Sequence, residues 1–174
     1  MALAAALRRH VPLASLTVIE APAAELLRDR GEDLHYRAFR EMTDGYFAAF
    51  AGGSAEAIAV MIDFYAGVAG TFASWPPRLR AYAVETTAVN ILDWASAYGF
   101  PLSASALARI DIPLLVMRGG ASPAAVQRAN ALIAECIDRA TLVTIDGAAH
   151  FLIATHAAEV ARLIASHAHQ AEAG

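Results

Sequence analysis

The chain has 174 residues, 57% of them hydrophobic and 17% charged, with a formal net charge of −4. That length allows one domain with a sizeable core, or part of a larger one. Its scattered basic residues give no electrostatic footprint for nucleic acid, and no window reaches the roughly 18 uninterrupted apolar residues that a membrane span needs.

Met1 to His10 is Ala-rich and helical in composition, with Arg8, Arg9 and His10 placed after the apolar run. A secretory signal carries its charges before the apolar run, so this order predicts a cytoplasmic protein. Ser15-Leu-Thr-Val-Ile-Glu20 follows as a short, β-branched, buried strand, stopped by Ala21-Pro22. From Ala23 to Ala108 the period becomes helical. Leu26, Leu27, Leu34, Phe39, Met42, Tyr46, Phe47 and Phe50 recur at helical spacing until Gly52-Gly53. Ser54 is placed to cap a second helix, with Glu56 in its first turn, and Ile58, Met61, Ile62 and Tyr65 continue it to Gly67. Trp75-Pro76-Pro77 opens a third helix that runs through Tyr82, Val89, Ile91, Leu92 and Trp94 and ends at Tyr98-Gly-Phe-Pro101. At roughly 80 residues this helical stretch is too long for an ordinary loop.

An α/β pattern then resumes. Ile112 to Met117 reads as a strand, Pro123 to Ile137 as a helix, and Thr141 to Ile145 as a strand. Thr155 to His167 is an amphipathic closing helix that packs through Val160, Leu163 and Ile164. The predicted fold class is α/β. About three parallel strands with flanking helices form a partial core from residues 1–22 and 109–174, and residues 23–108 form an all-helical insertion. The first strand would have an open edge, which predicts self-association.

The candidate chemistry centres on His150, on the turn just past the last strand, because ligands collect at the carboxyl edge of a parallel sheet and an imidazole there can act as a base. Asp146 lies four residues earlier but precedes Gly147, where an aspartate finishes a strand and starts a turn. No serine sits on a nucleophile turn. Ser54, in Gly52-Gly-Ser-Ala-Glu56, has a glutamate where a second glycine is needed and no buried strand before it. The single cysteine, Cys136, lies between Ile133 and Ile137 and reads as a buried, inert thiol. His167 and His169 offer two metal ligands without a third, and no Gly-rich phosphate loop is present, so neither a metal nor another cofactor is expected.

Taken in order, these segments resemble the later half of the α/β-hydrolase fold family. Met1-Ala-Leu-Ala-Ala-Ala-Leu-Arg-Arg-His10 is similar to the helix after that family's nucleophile elbow, and Ser15-Leu-Thr-Val-Ile-Glu-Ala-Pro22 to its sixth strand. Ile110-Asp-Ile-Pro-Leu-Leu-Val-Met-Arg-Gly119 is similar to the seventh strand, and Asp146-Gly-Ala-Ala-His150 to the Gly-x-x-His ending that delivers the triad histidine. The resemblance makes residues 23–108 a helical cap whose aromatic residues, among them Tyr65, Phe64, Phe72, Trp75 and Trp94, roof a pocket for a small apolar substrate. It also implies a triad acid. The turn after the seventh strand, where family members usually carry Asp, here reads Arg118-Gly-Gly-Ala-Ser-Pro123. Ala121 cannot orient an imidazole, and Ser122 would do so only weakly. Some relatives place the acid at the end of the sixth strand instead, and there this chain has Glu20.

By the same comparison roughly the first half of such a protein, with five strands, the oxyanion loop and the Gly-x-Ser-x-Gly turn, has no counterpart here. Two readings follow. One is a hydrolase acting on an ester, lactone or amide-type bond, in which an upstream serine or aspartate attacks and His150 serves as base. The other is a catalytically inactive remnant, or a piece that binds a partner. Either way, the 174 residues alone are expected to show no hydrolase turnover.

Overall fold

A computed structural model describes residues 2–173; Met1, at the head of the expected first helix, lies outside them. Helix α1 (Ala2–Arg8) leads to strand β1 (Leu16–Ile19), whose Thr17, Val18 and Ile19 are β-branched and suit a pleated, packed surface. Strands β2 (Leu114–Gly119) and β3 (Ala140–Ile145) complete a parallel sheet in the order β1-β2-β3. Leu16 to Ile19 pair with Leu114 to Met117, and Leu114 to Gly119 pair with Ala140 to Ile145. This register aligns the three carboxyl ends. Glu20, Gly119 and the Asp146–His150 turn therefore meet at one edge of the sheet.

Central strand β2 is apolar and buried from Leu114 to Met117 because both its faces are covered there. Leu114 and Val116 point into the larger core cluster, with Val18, Val126, Leu132 and Ile133. Leu115 and Met117 point the other way, into a smaller cluster with Ile145, Leu152 and Val160. Helix α9 (Ala124–Glu135) supplies the first face, and the closing helices α10 (Leu152–Thr155) and α11 (Ala157–Ala173) supply the second. Of the three residues expected to seat the closing helix, Val160 is buried and Leu163 packs on the cluster, but Ile164 is exposed. The burying stripe runs 160, 163, 167 and leaves position 164 at its margin.

Seven helices lie between β1 and β2: α2 (Ala24–Asp29), α3 (Asp33–Ala51), α4 (Ile58–Ala66), α5 (Thr71–Ser74), α6 (Pro77–Glu85), α7 (Thr87–Gly99) and α8 (Ala104–Leu107). Phe39, Met42, Thr43 and Tyr46 form the buried stripe of α3. Several details depart from the sequence reading, among them the run from Leu26 to Phe50, which is two helices, α2 and α3, parted at Gly31. Helix α4 starts at Ile58, so Ser54 is an exposed turn residue and caps nothing. The helix expected to run from Pro76 through Trp94 is two helices, divided at Thr86. The Thr86 hydroxyl donates to the Tyr82 carbonyl at 2.9 Å, a local side-chain bond that competes with continuing the helix. Leu79, Tyr82, Val89 and Leu92 on α6 and α7 are exposed. Among the described residues, no helix is long and apolar enough to cross a membrane.

Candidate active site

Glu20 follows β1 directly, and its own N–H continues the ladder by donating to the Met117 carbonyl at 2.9 Å. Its φ of 50° is left-handed, a conformation that costs a residue with a side chain about 1–2 kcal/mol. The surroundings enforce it. Asn130, fully buried on α9, accepts the Ala21 N–H at 3.0 Å and donates to the Ala21 and Val126 carbonyls at 3.4 and 2.9 Å. Pro22 then restricts Ala21 to an extended backbone. The chain is thus clamped on both sides of the carboxylate. Backbone held in a sparsely populated region and over-determined by its neighbours is a feature that clusters at functional sites.

The Glu20 side chain is 1% exposed, and one of its oxygens accepts the Gly119 N–H at 2.6 Å. The other oxygen lies 3.4 Å from His150 Nδ1. That distance is at the long end of hydrogen bonding. An ionised carboxylate could only accept here, an arrangement that pairs with an imidazole carrying its proton on Nδ1 and its lone pair on Nε2. No side chain among the described residues is hydrogen-bonded to Nε2.

His150 reaches this position through a turn packed against the end of β2. Gly147 takes the left-handed φ of 71° that turns the chain out of β3. The Ala148 carbonyl accepts the Ala121 N–H at 2.8 Å, and the Ile145 carbonyl accepts the Gly120 N–H at 2.9 Å. Gly119 has no room for a side chain, because a Cβ there would lie 2.3 Å from the Ala148 oxygen. One face of the imidazole rests on the Tyr65 ring, with centroids 3.9 Å apart, and the Phe151 ring lies farther off at 5.4 Å.

The remaining sequence candidates lie apart from this pair. Asp146 is exposed at the start of the turn. Ser122 is 4% exposed and its hydroxyl has no hydrogen-bond partner among the described residues. Cys136, expected to be buried, is only half-buried just past α9, and its thiol is pushed up chiefly by desolvation. His167 Nε2 lies 3.1 Å from the Leu16 carbonyl, while His169 is exposed beside Glu172. Among the described residues, no three His, Cys, Asp or Glu side chains gather as metal ligands would. The sequence reading omits Gly119 and Asn130. The signal for Asn130 is a polar residue inside the apolar stripe Val126, Ala129, Ile133 of an amphipathic helix.

No protein-family model and no curated protein matches the chain. Solved structures do. The chain is similar to an N-acyl homoserine lactone degrading enzyme at 15% identity and a TM-score of 0.64, over 95% of this chain and 62% of that one. MenH from S. aureus matches at 12% identity and a TM-score of 0.62, over 98% and 64%. An α/β hydrolase from Sphaerobacter thermophilus matches at 26% identity and a TM-score of 0.52, over 90% and 61%. The chain therefore spans between 61% and 64% of the length of these proteins. Its fold is a partial α/β-hydrolase fold, as the order of its motifs implies.

Proposed function

We propose that this chain carries the acid–base half of an α/β-hydrolase active site, acting in the cytoplasm on an ester, lactone or amide-type bond of a small apolar substrate. His150 is the general base and Glu20 the acid that orients it. The observation that carries this reading is the contact between His150 Nδ1 and the buried Glu20 carboxylate, made by residues 130 positions apart. In such a site Nε2 takes the proton of the attacking hydroxyl, Glu20 stabilises the imidazolium, and the proton passes to the leaving group. Among the described residues no serine, cysteine or aspartate side chain is hydrogen-bonded to the His150 ring, so the reading takes its nucleophile from elsewhere.

The test has two parts. Imidazole 15N NMR should find His150 protonated at Nδ1 and free at Nε2, whereas the opposite tautomer would remove the base and end the proposal. The purified polypeptide should also hydrolyse short-chain p-nitrophenyl esters no faster than its His150→Ala variant. Histidine-dependent turnover well above background would mean that the nucleophile lies within the chain after all.

Strand β1 ends the sheet, and its outer edge pairs with no other strand among the described residues. Together with the exposed Leu79, Tyr82, Val89 and Leu92, that edge supports self-association. Sedimentation velocity should show species larger than a monomer. A single monomer boundary across a dilution series would refute this part of the reading.

A further inference from the structure

We propose that Tyr65 is a positioning residue: its ring, lying on the face of the His150 imidazole, fixes the plane in which that imidazole meets Glu20. The proposal rests on the reading of Glu20 and His150 as a working pair. At 3.4 Å the contact at Nδ1 is long, and alone it leaves the imidazole room to turn about its Cβ–Cγ bond. Removing that freedom takes a second surface, and Tyr65 supplies one. The two ring centroids are 3.9 Å apart with planes 35° from parallel, a tilted face contact rather than an edge contact. The other aromatic neighbour, Phe151, lies farther off at 5.4 Å with its plane 77° from that of the imidazole, so the two rings do not stack.

Tyr65 is itself held rigidly. It is 2% exposed on α4 and packs against Phe64 at 5.4 Å, Trp94 at 6.1 Å and Phe39 at 6.4 Å. These residues come from α3, α4 and α7, so this ring links the aromatic core of the helical insertion to the sheet edge. The Tyr65 hydroxyl makes no hydrogen bond with the described residues. Burial first, then the nearby Glu20 carboxylate, holds it well above the ordinary tyrosine range, so it stays neutral. What Tyr65 brings to His150 is therefore the ring face and not the hydroxyl.

The test is NMR on the full chain with labelled histidine. In the unsubstituted protein, the His150 ring protons should be shifted upfield by the Tyr65 ring current and show NOEs to its ring protons. Absence of both overturns the proposal whether or not any variant folds. In Tyr65→Leu, the His150 Nδ1 proton should exchange with water about three- to tenfold faster, and in Tyr65→Phe it should stay within about twofold of the parent. Phe151→Leu serves as the packing control, and an equal acceleration there would overturn the assignment. Glu20→Gln separates the two levels. If it abolishes the Nδ1 proton signal while Tyr65→Leu leaves exchange unchanged, Tyr65 is not the positioning residue. If it leaves the signal intact, the pairing of Glu20 with His150 is wrong.

Discussion

Glu20→Gln is expected to invert the His150 tautomer while leaving the local backbone in place. The amide oxygen can still accept the Gly119 N–H now held at 2.6 Å, so the left-handed turn keeps its anchor. The other end changes from an acceptor to an NH2 donor, facing His150 Nδ1 across 3.4 Å. Two donors cannot share that contact, so the imidazole moves its proton to Nε2 and Nδ1 becomes the acceptor. The nitrogen that faces a nucleophile is then occupied. Imidazole 15N shifts report the exchange directly. In a polypeptide that also carries the nucleophile, hydrolysis should fall by about three to four orders of magnitude, the scale of loss when a triad histidine holds the wrong tautomer. Retention of the Nδ1-protonated form would show that something other than Glu20 sets the ring's proton, and the proposed role of Glu20 would be lost.

His150 can be found in the sequence for a local reason, and Glu20 through the family resemblance, which allows an acid at the end of the sixth strand. Each closes a short β-branched or apolar strand that ends on clear stop residues, Ala21-Pro22 in one case and Asp146-Gly147 in the other. Parallel pairing then brings the two carboxyl ends to one edge of the sheet. The features that hold them are non-local and leave weaker traces. Gly119 reads as an ordinary glycine after a strand, yet its N–H binds a carboxylate 99 residues away. Asn130 clamps Ala21 across 109 positions, and nothing near Asn130 announces that partner. The aromatic residues of α3, α4 and α7 are legible as helical core, and most of them are just that. That one of them lies on the imidazole follows from how α4 sits over the β3 turn, which periodicity does not encode. Apolar spacing also overstates burial on α6 and α7, where Tyr82, Val89 and Leu92 follow the helical pattern but face outward.

Gly119→Ala is expected to be the most damaging small substitution in the chain, and the reason is space rather than backbone conformation. The added Cβ would lie 2.3 Å from the Ala148 oxygen and 2.7 Å from its carbonyl carbon, with the Ser122 hydroxyl at 2.9 Å. A hydroxyl can rotate away, but Ala148 is backbone in a turn tied to β2 by the 2.8 Å bond from the Ala121 N–H. Relief therefore requires the turn to move outward and that bond to break. His150 is two residues further on, so it would be carried off Glu20 as the turn moves. Overpacking of this kind at a site that cannot relax costs about 3 kcal/mol or more. For a domain of this size that lowers Tm by on the order of 10 °C. Gly147→Ala is the informative contrast, because Gly147 has a φ of 71° but open space within 4 Å of its Cβ position. There the cost is the left-handed backbone alone, about 1–2 kcal/mol. Urea denaturation of both variants, read alongside the His150 Nδ1 proton, separates strain from collision. Gly119→Ala should lose both stability and the signal, whereas Gly147→Ala should lose some stability and keep the signal. If Gly119→Ala were as stable as the parent with the signal intact, the two turns would not be locked together at Gly119, and this account of how His150 is delivered to Glu20 would fail.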